Sequence, residues 1–213
     1  MSRTPSRAKP RRAAAAAPKP ARHEGASIGE VRTRILDAAL KLFEDKGFDG
    51  TAVPEIARRA GIATGSIYRH FPSKDALVNA LYREWKLRYS ETVLTPPPES
   101  ATPREVFGHY WRGMAAFAQR HPIAARFLDL HHHRAYLDKE SKTAERKTHD
   151  LAAQFVAQGV AAGVVRPIDP MLLVALMTGA MRGLIQFAGD GELVLDQATT
   201  AAAEDCIWNA IKA

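Results

Sequence analysis

Residues 52–70 read Ala-Val-Pro-Glu-Ile-Ala-Arg-Arg-Ala-Gly-Ile-Ala-Thr-Gly-Ser-Ile-Tyr-Arg-His. Ile56 and Ala57 give the first half an apolar helical face, and Gly61 stops it. Ile62 fills the turn, and Ile67 with Phe71 anchors a second short helix from about 64 to 70. Ala60 is small enough for the two helices to cross closely. Helix, tight turn, helix is the geometry that offers the start of a second helix to the major groove of DNA.

The flanks fit. Upstream, Val31, Ile35, Ala38, Ala39 and Leu42 repeat at helical spacing, predicting a helix over 29–46 that Gly47 ends. Thr51 is the expected N-cap of the next helix, and Pro54 falls in its first turn, where a missing N–H costs little. Downstream, Pro72 breaks the chain and Ser73 caps a fourth helix reaching about 92. Thr64 and Ser66 have hydroxyls for base edges or phosphates, and Gly65 allows close backbone approach. Tyr68 and His70 have phosphate reach, Arg69 suits phosphate or guanine, and Lys74 stands at a helix start where an anion is favoured.

Residues 33–81 resemble the DNA-binding domain of the TetR family. The likeness rests on Ile35-Leu36-Asp37-Ala38-Ala39-Leu40, Phe43, Lys46-Gly47-Phe48, Thr51, Ile56-Ala57, Ala60-Gly61, Ile67-Tyr68 and His70-Phe71-Pro72-Ser73-Lys74. It implies DNA contacts at Thr64, Gly65, Ser66, Tyr68, Arg69, His70 and Lys74, with Thr51 as a phosphate-contacting cap. Two positions depart. Ala63 stands where a serine cap is common, so Thr64 is expected to take the capping role, and Pro54 replaces a residue that is often polar or basic.

The rest of the chain also reads as helix; alternating strand patterns are nearly absent. Pro96, Pro97 and Pro98 form a stiff connector, and Thr102-Pro103-Arg104-Glu105 is a strong helix start. Further starts stand at His121-Pro122 and Asp169-Pro170. The expected fold is all-α, with about nine helices. Residues 1–27 form a basic tail, 28–75 a helix-turn-helix domain, and 76–213 a helical domain for effector binding and dimerisation.

The helix from 170 is apolar nearly all round, so it needs cover on two sides. Ala175, Gly179 and Gly183 recur every four residues, which permits close helix approach, and the final helix offers Ala203, Ile207 and Ala210. This resembles the family's dimer helices, which pair as a four-helix bundle. The domain is expected to hold an apolar effector pocket, as the resemblance implies. Its candidate lining is Phe107, Trp111, Met114, Phe117, Phe127, Leu128, Tyr136, Phe155, Met177 and Met181, with His109, Tyr110 or Arg112 as polar anchors; for any one of them ordinary core is the competing reading. His131, His132 and His133 point about 100° apart on a helix and cannot share one ion. They read as surface or pocket-lining residues, and neither a metal site nor a cofactor is expected.

Lys and Arg number 30 against 23 acidic residues, but the excess lies in the tail. Arg3, Arg7, Lys9, Arg11, Arg12, Lys19 and Arg22 all precede the first acid, Glu24. The composition of the tail does not support a core; it is either a DNA-touching arm or a solvated tail. The single cysteine, Cys206, excludes an intrachain disulfide, fits a reducing cytoplasm, and reads as a small buried apolar residue. The apolar run Met171–Met181 is short of the ~20 residues a membrane span needs. Phosphate loops, nucleophile elbows and zinc-protease motifs are missing, so catalysis is not expected. The expectation is a cytoplasmic repressor that binds near-palindromic double-stranded DNA as a homodimer and is released by a small, largely apolar effector.

Overall fold

The computed structural model describes residues 27–129 and 136–213. The basic tail, apart from Ser27, and His131, His132 and His133 lie outside the described residues. Among those described there are nine helices: α1 (Ile28–Lys46), α2 (Val53–Ala60), α3 (Thr64–His70), α4 (Lys74–Val93), α5 (Pro103–Arg120), α6 (Pro122–Asp129), α7 (Lys139–Ala161), α8 (Pro170–Gly189) and α9 (Gln197–Ile211). The only extended pairing among them is one bridge between Val165 and Lys212, which ties the α7–α8 loop to the C-terminal residues. The fold is all-α, as expected.

Local chemistry sets the boundaries. Ser27 and Glu30 form a capping box at α1, and Thr102 and Glu105 form another at α5, where Pro103 opens the helix. Ser73, Asp138, Asp169 and Asp196 cap α4, α7, α8 and α9 by accepting a backbone N–H three residues on. The N-cap of α2 is Ala52 without a side-chain bond, which corrects the capping role expected for Thr51.

α1, α2 and α3 bury Ile35, Phe43, Ile56 and Ile67 in one small core, joined through α4 to the larger domain. In that domain α5 lies against α4, α6 and α9, while α7 and α8 run antiparallel as a hairpin. Trp111, Phe107, Phe117 and Phe127 are almost fully buried at its centre. By length and apolarity α8 matches a membrane span (mean hydropathy 1.6), yet Leu173, Val174, Met181 and Ile185 pack it into this core. Its opposite side, with Leu172, Leu176 and Phe187 each about half exposed, is uncovered.

Candidate nucleic-acid interface and ligand cavity

The turn before α3 is braced from several directions. Gly61 takes a left-handed φ of 68°, which a side chain would strain. The Ile62 N–H donates to the Ala57 carbonyl at 3.0 Å, and the Arg34 guanidinium on α1 donates to the carbonyls of Ala60 and Gly61. Lys46 pairs with Glu55 at 2.6 Å, fastening the end of α1 to α2. Sequence reasoning passed over Arg34, because its partners are main-chain carbonyls 26 and 27 residues away.

Only Ile67 of α3 is buried. Tyr68 and Arg69 are exposed, with Tyr68 at 51%, while Thr64, Ser66 and His70 are half-buried. Ala63 is the N-cap and makes no side-chain cap bond, so the Thr64 hydroxyl is not spent on capping, contrary to expectation. Gly65 is helical and exposed, and a Cβ there would meet nothing within 4 Å. The protein has no internal packing reason for glycine at that point.

Two expected contacts face inward. Thr51 is 1% exposed; its hydroxyl sits 2.7 Å from the Gly47 carbonyl and 3.0 Å from that of Leu42. This corrects the expectation of an exposed phosphate contact: Thr51 is a joint between α1 and α2. The Lys74 ammonium donates to the carbonyls of Phe48 (2.7 Å) and Thr51 (3.0 Å) and lies 4.1 Å from the centre of the Phe48 ring. Two of its three N–H groups are thus committed.

A cavity of about 640 Å³ opens among α4, α5, α6, α7 and α8. Tyr110, Met114, Leu128, Phe155 and Met177 are on its wall. The other expected lining residues are elsewhere, and each has a physical reason. Phe107 and Trp111 turn toward α9: Phe107 packs on Trp208 at 5.4 Å, and the Trp111 indole N–H donates to the Thr200 carbonyl at 3.0 Å. His109 holds the proline connector through the Thr95 carbonyl at 2.8 Å. Phe117 packs edge-on against Tyr89 and Trp85, Phe127 is fully buried, and Met181 lies in the core beside a much smaller void. Arg112 is no anchor either, since it pairs with the buried Glu204, which also takes Arg104 at 2.5 Å.

Sequence reasoning missed the polar wall: Tyr82, Lys86 and Tyr89 on α4, Glu145, Thr148 and His149 on α7, and Thr178 and Arg182 on α8. Their spacing of three or four residues marks a helix face, but nothing local says which way that face turns.

Tyr136 sits at the junction of the two domains, not in the cavity. Its ring stacks on Phe48 at 4.1 Å, with the Lys74 ammonium also against Phe48. Burial first, and then the charge of Asp49, push its phenol up to about 12. Asn79 donates to the Tyr136 carbonyl and accepts from the Asp138 N–H, both at 2.8 Å. The next residue, Leu137, is on the cavity wall. A second link pairs Arg126 of α6 with Glu44 of α1 at 2.6 Å, two residues before the cavity-lining Leu128.

The small residues expected at an interface divide. Ala175 and Gly179 line the cavity, while Gly183 has open space beside it. On α9, Ala203 and Ile207 are half-buried and Ala210 is exposed. Cys206 is exposed, correcting its reading as a buried residue. Among the described residues, no three His, Cys, Asp or Glu side chains come together as a metal site.

A braced helix pair with an outstanding second helix, joined through one long helix to a helical domain with a cavity, defines a helix-turn-helix regulator of transcription. Residues 35–81 match the family model described as bacterial regulatory proteins, tetR family, and residues 82–213 match the tetracyclin repressor-like C-terminal domain. The chain therefore belongs to the TetR family and is a DNA-binding transcriptional regulator. It is 28% identical over 144 residues to the transcriptional repressor KstR2 of Mycolicibacterium smegmatis, covering 64% of this chain and 68% of that protein. It is also 28% identical over 174 residues to the regulator RutR of Escherichia coli K12, covering 79% of this chain and 80% of that one. The crystal structure of AibR in complex with isovaleryl coenzyme A and operator DNA shares the fold, with a TM-score of 0.72 at 23% identity over 85% of this chain and 97% of that one.

Proposed function

We propose that this protein is a repressor that binds a near-palindromic operator as a homodimer and leaves it when a small, largely apolar ligand fills the cavity. The observation that carries the ligand-responsive part is the direct covalent step from Leu137 on the cavity wall to Tyr136 on the Phe48 ring. A ligand that moves the start of α7 pulls on the corner where α1 meets α2, and so tilts α3. DNA contacts fall to Thr64, Gly65, Ser66, Tyr68, Arg69 and His70, with the remaining N–H of Lys74 beside them.

The uncovered apolar side of α8 supports the homodimer. Half-exposed Leu172, Leu176 and Phe187 in line on one helix form a patch that a monomer rarely leaves wet. A twofold partner would set two α3 helices about 34–36 Å apart, one turn of duplex. Work on DNA places the protein in the bacterial cytoplasm. The two units divide at 28–75 and 76–213, a boundary inside α4 near the 81/82 junction of the two family matches.

The test is to sequence genomic fragments retained by the purified full chain, then to titrate compounds against the bound operator. A shared inverted repeat is expected. By linkage, a releasing compound must bind more weakly to the DNA complex by the same factor that it weakens DNA binding. Retention without sequence preference, or release without that reciprocity, overturns the reading.

A further inference from the structure

Among the described residues α3 is the shortest helix; it packs mainly on α2 and buries Ile67 alone. Apolar packing therefore fixes its tilt only weakly, and two arginines of α1 take hold of its ends. At about 100° per residue, Arg32 and Arg34 leave α1 about 200° apart, so they pass it on different sides. Arg34 reaches the turn before α3. There the N–H groups of Gly61 and Ile62 turn back to Ala57 and Arg58, and the carbonyls of Ala60 and Gly61 lie beyond them. The Arg34 Nη2 group donates to both, at 3.2 Å to Gly61, and its charge meets the negative end of α2. The approach is close: a Cβ on Gly61 would stand 2.8 Å from the same nitrogen. Arg32 reaches the other end of α3. Its guanidinium lies 5.6 Å from the centre of the ring of Phe71, the C-cap of α3, and pairs with Glu84 of α4 at 3.1 Å.

Base edges are read by directed hydrogen bonds that a small tilt breaks, whereas phosphates attract a cation from many angles. Resting on the reading of α3 as the helix that enters the groove, we infer that Arg34 and Arg32 are positioning residues for operator recognition. They hold the two ends of α3 against α1 and α4, and so set the pitch at which Ser66, Tyr68 and Arg69 meet the duplex. Both hydrogens of the Arg34 Nη2 group are committed to carbonyls, so its contribution is to selectivity and not to attraction for the DNA backbone. Glu84 belongs to the same device. Its negative charge repels DNA, yet it keeps Arg32 beside Phe71.

Selectivity between two duplexes tests this. The operator fragment retained by the full chain and a scrambled duplex of the same composition are titrated by fluorescence anisotropy over a range of salt. Arg34→Gln is expected to cut the ratio of operator to scrambled affinity about tenfold, the effect of one charge-assisted hydrogen bond. Arg32→Gln and Glu84→Gln should each cut it about threefold, the scale of a half-exposed ion pair, and the double variant no further. Affinity for the scrambled duplex should stay close to the parent's. The salt slope of operator binding should also hold, since losing a phosphate contact would lower it by about one. The ratio does not depend on the folded fraction, so a loss of stability alone leaves it unmoved. Short-time amide exchange on the DNA-free chain gives a second reading: residues 61–71 should exchange faster in Arg34→Gln, with α4 unchanged. An undiminished ratio in Arg34→Gln, an equal loss on both duplexes, a slope lowered by one, a higher ratio in Glu84→Gln, or unaltered exchange overturns the inference. If the parent retains no operator, the repressor reading falls and exchange alone decides the role of Arg34. If it retains one and every variant keeps the parent's ratio, this inference falls and the repressor reading stands.

Discussion

Gly65 is where the protein's own stability and its proposed task pull in opposite directions. An exposed helical glycine with free space at its Cβ costs roughly 0.5–1 kcal/mol against alanine. Gly65→Ala is therefore expected to raise the unfolding midpoint while weakening operator binding, because the added methyl stands where duplex DNA must approach. Thermal unfolding and a gel-shift titration on one preparation check both signs; unchanged affinity would show that α3 docks elsewhere. Tyr136 makes a different single-residue prediction. Its phenol ionises near 12 in the folded chain against an ordinary 10.0, so the unfolded state gives up that proton first. Stability from the neutral ring is whole below pH 10 and is lost as pH rises toward 12. Urea midpoints for the parent and Tyr136→Phe should diverge across that interval, with the parent falling faster.

At the scale of elements, α8 presents three different sides. At about 100° per residue, Leu173, Val174, Met181 and Ile185 share the core side, and Ala175 and Arg182 share the cavity side. Leu172, Leu176, Gly183 and Phe187 share the outer side. A row spaced every four residues drifts around a helix, which is why Ala175 and Gly179 reach the cavity while Gly183 does not. Leu176→Arg places a charge in the middle of the outer side and should weaken self-association about thirtyfold, the loss of one central contact of ~2 kcal/mol. Sedimentation at several concentrations reads this directly; an unshifted association constant places the interface elsewhere. Helix ends were legible in the sequence because caps act locally: Ser73, Thr102-Pro103, Asp169-Pro170 and Gly61 need only their neighbours. The site was less so. The stripe of Phe107 and Trp111 resembled a pocket wall, and only the position of α9 shows that it faces Trp208 and Thr200. Thr51 looked like a cap, but its hydroxyl answers to carbonyls of α1 that its neighbours do not reveal.

Over the whole molecule, α4 runs from the DNA domain to the cavity wall, and beside it lie two side-chain joints: the Tyr136–Phe48–Lys74 stack and the Arg126–Glu44 pair. Phe48→Ala removes the middle of the first. It is expected to leave ligand and operator each able to bind, while the free energy by which one weakens the other shrinks by about 0.5–2 kcal/mol. Operator titrations with and without ligand measure that difference; undiminished coupling would route the signal through α4 or Arg126 instead. Lys74 meets the ring with its ammonium, whereas Tyr136 meets it with a flat, uncharged face. Ring stacking has no charge for dissolved ions to screen, whereas the hold of a basic helix on phosphates falls steeply with them. Ionic strength thus becomes a dial that slackens the protein's hold on DNA while leaving the Tyr136–Phe48 contact nearly as taut, so the two can be weighed separately in one sample.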